Sequence, residues 1–181
     1  MGEQTKNPET SRASALDGIA SRWAAWLRRT DSLEVVVEIE ALGERVACAN
    51  RVLRRTGLLR RVEWLEGGVP DELVRDAVAL RVSTTRADGA AWTWAFLSIS
   101  ARGEDLTADF DYERRPDLVP PCTRSDCEAE LRLFPRDPVR LPAWMMHLQS
   151  DGIEEVSEAD SRSGEGAGSR RLMGLLALRP R

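Results

Sequence analysis

Residues 33–42 read LEVVVEIEAL. Val35, Val37, Ile39 and Ala41 alternate with Glu34, Val36, Glu38 and Glu40. Successive side chains on a strand point to opposite faces, so one face here is apolar and the other largely acidic. The pattern predicts a strand half-buried in an antiparallel sheet. Gly43-Glu44 reads as a compact turn. Residues 45–52 then return as a second strand, with Val46, Cys48 and Asn50 alternating against Ala47 and Ala49. Residues 53–65 contain RTGLLRRVEWL and read either as a third short strand or as an ornamented connection.

Helices flank this hairpin. In residues 13–30, Leu16, Ile19, Ala20, Trp23, Trp26 and Leu27 make one apolar stripe at helical spacing. Ser14 is a candidate N-cap, with Asp17 as its partner, and Arg28 and Arg29 suit the C-terminal end of the dipole. Pro70 opens a second helix, with Asp71 and Glu72 in the first turn. Its apolar side carries Leu73, Val74, Ala77, Val78 and Leu80, and its end is expected between Ser83 and Arg86.

Two more strands follow. Residues 91–100 put Trp92, Trp94, Phe96 and Ser98 on one side and Thr93, Ala95, Leu97 and Ile99 on the other. Bulk on both sides predicts a strand that is central or covered on both faces. After a turn at Arg102-Gly103-Glu104, Leu106, Ala108, Phe110 and Tyr112 point one way, while Asp105, Thr107, Asp109 and Asp111 point the other. Pro116, Pro120 and Pro121 then exclude helix and central strand. Ser125 and Glu128 form an S-x-x-E capping box for a helix running to Leu133. Phe134-Pro135 stops it, Asp137-Pro138 and Leu141-Pro142 bracket a turn, and residues 143–148 add helical turns. The expected fold class is α+β. An antiparallel sheet of about four to five strands carries an N-terminal and a middle helix, with short closing helices at the C-terminal end. The domain spans residues 13–148. Residues 1–12 form a disordered lead-in, and residues 149–181 an acidic Gly/Ser-rich tail with the apolar end LMGLLAL.

Charge and cysteine usage narrow the function. A net charge of −4 argues against a general nucleic-acid binder, which needs a basic face. Arg54, Arg55, Arg60 and Arg61 make a local basic cluster that reads as a solvated face, because no Gly-rich phosphate cradle follows it. The 3 cysteines have no zinc or redox spacing and read as reduced thiols in a cytoplasmic protein. The N-terminal residues show no signal-peptide pattern. No apolar run approaches the roughly 20 residues of a membrane span.

Little catalytic chemistry is legible. His147, the single histidine, has no metal-ligand array or nucleophile-elbow serine beside it. Asp109 and Asp111 project from one strand face about 7 Å apart. That separation suits a hard cation or a hydrolysed bond, but no further ligands accompany the pair. No cofactor is expected. The acidic stretch reads first as a partner-binding face, with Asp109, Asp111, Tyr112 and Glu113 as its candidate residues.

The strand ending DFDYE at residues 109–113, the proline-bearing spacer and CEAELRLFPRDPVRLPAW at residues 127–144 together resemble the YezG-like immunity proteins of bacterial polymorphic toxin systems. In that family an F-x-Y strand end is followed by a proline-containing loop, a helix closing on F-P-R, and an I/L-P-x-W motif. Here these are Phe110 and Tyr112, then Phe134-Pro135-Arg136, then Leu141-Pro142-Ala143-Trp144. The resemblance covers residues 13–148. It implies an α+β fold, no catalytic activity, and a cytoplasmic role neutralising a cognate protein toxin, often a nuclease. Phe110, Phe134, Pro135, Arg136, Pro142 and Trp144 read as structural members of the signature. Two other readings compete: a regulatory or structural binding module, and a metal-dependent hydrolase using Asp109 and Asp111.

Overall fold

A computed structural model describes residues 8–102 and 105–150. Helix α1 (Pro8–Arg29) precedes the hairpin of β1 (Ser32–Leu42) and β2 (Arg45–Thr56), and β3 (Arg61–Glu66) extends it. Helix α2 (Asp71–Ser83), β4 (Trp94–Ser100) and β5 (Thr107–Asp111) follow. Helix α3 (Arg124–Leu133), a 3-10 turn (Pro138–Arg140) and α4 (Ala143–Ser150) close the chain. The strands form one 5-stranded sheet in the order β3-β2-β1-β4-β5, with every neighbouring pair antiparallel. The fold is therefore α+β. Residues 1–7, residues 103–104 of the β4–β5 turn, and residues 151–181 with the apolar segment LMGLLAL lie outside the described residues.

The inner face of the sheet holds the main core. Val35, Val37, Ile39 and Ala41 of β1 are fully buried there beside Ala95 and Leu97 of β4. Ile19, Trp23 and Leu27 of α1 and Leu73, Ala77 and Leu80 of α2 cover them. These are the apolar stripes read from the sequence, and their burial is what makes both helices stable. The outer face is covered at one end only. There Leu42 and Ala47 meet Cys127 of α3, Met145 and Trp144 of α4, and Leu118 and Cys122 of the proline-rich loop.

Four local expectations change. Helix α1 begins at Pro8, so residues 8–12 are helical and Ser14 lies within the helix instead of capping it. Its first turn carries no apolar stripe to announce it. Arg12 reaches the Phe110 ring, 5.5 Å from its centroid. Residues 53–65 resolve into the end of β2, a tight turn and β3. The cap of α3 is Thr123, with a full capping box to Asp126. This pair also fits the S/T-x-x-acid pattern, and Asp126 is held in place by Arg45 at 2.7 Å. Glu128 pairs with Arg124 one turn back instead.

The fourth concerns Trp92, which strand alternation puts on the same face as Trp94. The β4 ladder starts only at Trp94, and residues 91–93 leave the regular pleat. Trp92 turns inward, is fully buried, and donates its indole N–H to Thr84 Oγ1 at 3.0 Å. Thr93 N–H donates to Asp111 O and its carbonyl accepts from Ala41, so the backbone stays paired through the irregularity.

A buried ion pair joins the two layers. Arg81 of α2 donates to both carboxylate oxygens of Glu130 on α3, at 2.8 and 2.7 Å. Gly43 N–H donates to the same carboxylate at 2.7 Å. Gly43 has φ +60, and a Cβ there would stand 2.9 Å from Ala129 Cβ, so the turn and α3 need this glycine to meet. Gly89 is the second such place. Its φ is +82, and a Cβ would overlap the Pro135 carbonyl.

Glu130→Ala leaves the Arg81 guanidinium buried without its carboxylate, and urea unfolding should show a loss of about 3–5 kcal/mol. Glu128→Ala, which breaks only an exposed pair, should lose less than about 0.5 kcal/mol. Gly89→Ala should lose more than about 3 kcal/mol, because strain and overlap combine. Gly57→Ala, at φ +65 in open space, should lose about 1–2 kcal/mol from strain alone.

Candidate partner-binding surface

The register of β1, β4 and β5 composes the outer face. Glu38 stands opposite Phe96, which stands opposite Asp109. In the next row Glu40, Trp94 and Asp111 are aligned in the same way. Residues directly opposite on antiparallel strands share a face, so carboxylates flank aromatic rings in both rows. Trp94 and Phe96 stack with centroids 6.5 Å apart. The Trp94 indole N–H donates to Glu38 Oε1 at 2.6 Å. Arg114 lies over the same indole, 5.1 Å from its centroid, and reaches Glu40 Oε1 at 3.2 Å.

The Glu40 side chain is largely enclosed, with 14% of it exposed. It accepts from Arg114 and from the Asp117 backbone N–H. Burial pushes its carboxyl above the usual carboxylate range, against the lowering effect of those two contacts. Asp109 is exposed. Asp111 is half-buried and its Oδ1 accepts the backbone N–H groups of Glu113 at 2.8 Å and Arg114 at 2.9 Å. That bond set makes Asp111 the fastener of the strand end.

Tyr112 and Glu113 do not share this surface. Tyr112 turns to the inner face, where its hydroxyl donates to Thr84 O at 2.9 Å and Arg86 lies over its ring. Burial pushes its phenol up from the ordinary value. Glu113 lies past the strand, 3.9 Å from Arg86. The candidate set therefore divides, with Asp109 and Asp111 outward, Tyr112 inward and Glu113 on the loop. Strand parity places Tyr112 opposite in direction to its acidic neighbours.

Of the signature residues Pro135 is exposed, and the other five occupy interior or anchoring positions. Phe110 stacks on Trp92 with centroids 5.9 Å apart. Phe134 lies against the Arg81 guanidinium, 4.8 Å from centroid to carbon. Arg136 is buried and donates to Tyr112 O at 2.8 Å and to Ala91 O. Burial pulls its guanidinium below the usual arginine range. Pro142 is buried, and Trp144 donates its indole N–H to Glu113 O at 2.7 Å.

Sequence reading missed Glu38, Glu40, Trp94 and Phe96 as neighbours of Asp109 and Asp111. Each was placed on its own strand, but which strands lie side by side is set by pairing across more than fifty residues, as with Glu40 and Trp94. It also missed the buried partners Arg81 and Glu130. The signal for Arg81 was its position one turn beyond Ala77 on the apolar side of α2.

Among the described residues no group of at least 3 His, Cys, Asp or Glu side chains gathers to hold a metal ion. His147 is exposed on α4. The cysteines are unbridged, and burial pushes the Cys127 thiol up to about 11. No helix among the described residues is long and apolar enough to cross a membrane. Arg55 and Arg60 of the basic cluster both bind Asp31, at 3.1 and 2.6 Å, and Arg54 binds Ser32. A scan of protein-family models finds no match to the chain, and a comparison with curated proteins finds none either.

A raised carboxyl pKa means that folding favours the neutral form of Glu40. Its contribution is greatest below the ordinary carboxylate pKa and is lost as pH rises through the raised value. The stability of the parent protein relative to Glu40→Gln should therefore increase as pH falls from about 7 to about 4. Urea unfolding of both proteins at each pH measures it. A difference that instead grows with rising pH would mean that the Arg114 and Asp117 contacts dominate.

Proposed function

We propose that the protein is a non-catalytic cytoplasmic binding protein, an immunity protein that neutralises a cognate polymorphic toxin. The reading is supported by the resemblance carried by residues 109–144. The observation that carries the docking surface is the acid–aromatic outer face formed by Glu38, Phe96 and Asp109. Aromatic rings offer rigid contact area, and the carboxylates around them suit a basic partner such as a nuclease. Trp94 is already oriented by Glu38 and Arg114, so little side-chain freedom is lost when a partner docks.

The toxin is to be sought in the neighbouring reading frame. Co-expression should restore growth, and the two proteins should co-purify as a complex. Asp109→Arg, at an exposed position, should slow association about 10-fold or more at low salt and less at high salt. A neighbouring toxin domain that neither binds nor is neutralised by the parent protein overturns the reading.

A further inference from the structure

The β2–β3 arm ends in a turn unlike the rest of the surface. Arg60 N–H donates to Gly57 O at 3.1 Å, so Leu58 and Leu59 occupy the two corners. Such corners favour Pro, Asn, Asp and Gly. Here they hold leucines at 104% and 80% exposure, and neither belongs to a hydrophobic cluster of the fold. Arg54 stands opposite Ser32, the first residue of β1, so beyond that level β2 and β3 run on without β1. At a rise of about 3.3 Å per residue the leucines project roughly 10 Å past it. Helices α3 and α4 lie at the other end of the sheet, near Leu42.

Arginines gather behind the leucines. Arg54, Arg55, Arg60 and Arg61 belong to the arm, and Arg28 and Arg29 end α1 just before β1 begins. The acids among them are Asp31, Glu34 and Glu63. Asp31 is shared by Arg55 at 3.1 Å and Arg60 at 2.6 Å, two cations on one carboxylate. Arg28, Arg29, Arg54 and Arg61 form no ion pair among the described residues. Higher on the arm Arg51 faces Glu66, so the positive excess is confined to the tip of a chain whose net charge is −4.

We infer that this end of the molecule docks on an anionic phospholipid bilayer, with Leu58 and Leu59 entering the acyl boundary and the arginines meeting the phosphates. The spacing fits. A headgroup layer is about 5–8 Å deep, so leucines standing roughly 10 Å ahead reach the acyl chains while Arg28, Arg29, Arg54 and Arg55 stay among the headgroups. Arg60 and Arg61, nearer the tip, extend back to the same level, as long cationic side chains do. The leucines decide between lipid and nucleic-acid phosphate. Bases stack on exposed aromatic rings, and the Trp64 ring of this arm already lies under Arg51, 4.8 Å from its centroid. Residues 170–181 read RRLMGLLALRPR, again leucines between arginines. Like charge excludes that segment as the arm's cover and suits both to one anionic surface. The docking is peripheral and does not rest on the proposed function. Glu38, in the row of Phe96 and Asp109, lies six residues along β1 from Ser32, so the acidic outer face stays about 20 Å clear of that level.

Flotation of the full chain with vesicles tests the docking. The chain should float with mixed phosphatidylglycerol and phosphatidylcholine but not with phosphatidylcholine alone, and salt should release it. Leu58→Ser with Leu59→Ser, both at exposed positions, should weaken binding ~10-fold or more. Arg28→Gln with Arg61→Gln should weaken it about 5-fold for each charge at low salt. Hydrogen exchange of residues 57–65 should slow when the anionic vesicles are added. Absence of flotation with anionic vesicles overturns the proposal. So does equal flotation of the parent and both variants, which moves the contact to another part of the chain such as residues 170–181. Protection of the arm by self-association or by an oligonucleotide, without vesicle binding, overturns it as well. No toxin is present in these measurements, so their failure is separable from failure of the immunity reading.

Discussion

The Glu130 carboxylate is wholly buried and bonds to groups from several parts of the chain. Arg81 reaches both of its oxygens, Gly43 donates a backbone N–H, and Arg136 stands 3.8 Å away. An isolated carboxylate could not remain there, since the loss of its water must be offset by charge and hydrogen bonds from the protein. The β1–β2 turn, α2, α3 and the Phe134-Pro135-Arg136 segment are thereby held at one point. Arg81 extends the connection. Its Nε donates to Trp92 O, Nη1 donates to Gly43 O, and its guanidinium carbon lies near the rings of Trp92 and Phe134.

That connection has a consequence for the outer face. Trp92 is held inward by Arg81 at its carbonyl and by Thr84 at its indole. Thr93 then absorbs the irregularity, and Trp94 emerges on the outer side opposite Glu40 and Asp111. Arg136 holds Tyr112 O and Trp144 holds Glu113 O, so the end of β5 is clamped from the closing segment. The positions of the outward carboxylates are therefore determined by residues that never touch the outer face.

The legible part of this was local. Alternation in β1 and the stripes of α1 and α2 follow from burying one face, which leaves a periodic trace in the chain. Glu130 leaves no such trace, and Arg81 leaves only its place one turn beyond Ala77 on the apolar side of α2. Each looks like an ordinary helix charge until its partner, 49 residues away, is placed beside it. Tyr112 shows the opposite difficulty. It sits among acids in the chain, yet parity and its bond to Thr84 send it to the other side. The site needed the register of three strands, and alternation within each strand does not say which strands lie side by side.

The two halves of the outer face also differ in how their apolar groups are treated. Trp94 is half-buried because Arg114 lies over it, Glu38 accepts its indole proton, and Phe96 stacks beside it. Neighbours within the same chain already shield much of that ring. An antiparallel sheet with one solvated face tolerates such an arrangement without a cover. The arm receives much less shielding. Arg51 covers part of Trp64, but Leu58 and Leu59 stand in water at a turn that polar residues would satisfy better. Apolar area removed from water is stabilising roughly in proportion to its extent. The unshielded arm therefore has more to gain from association than the acidic half.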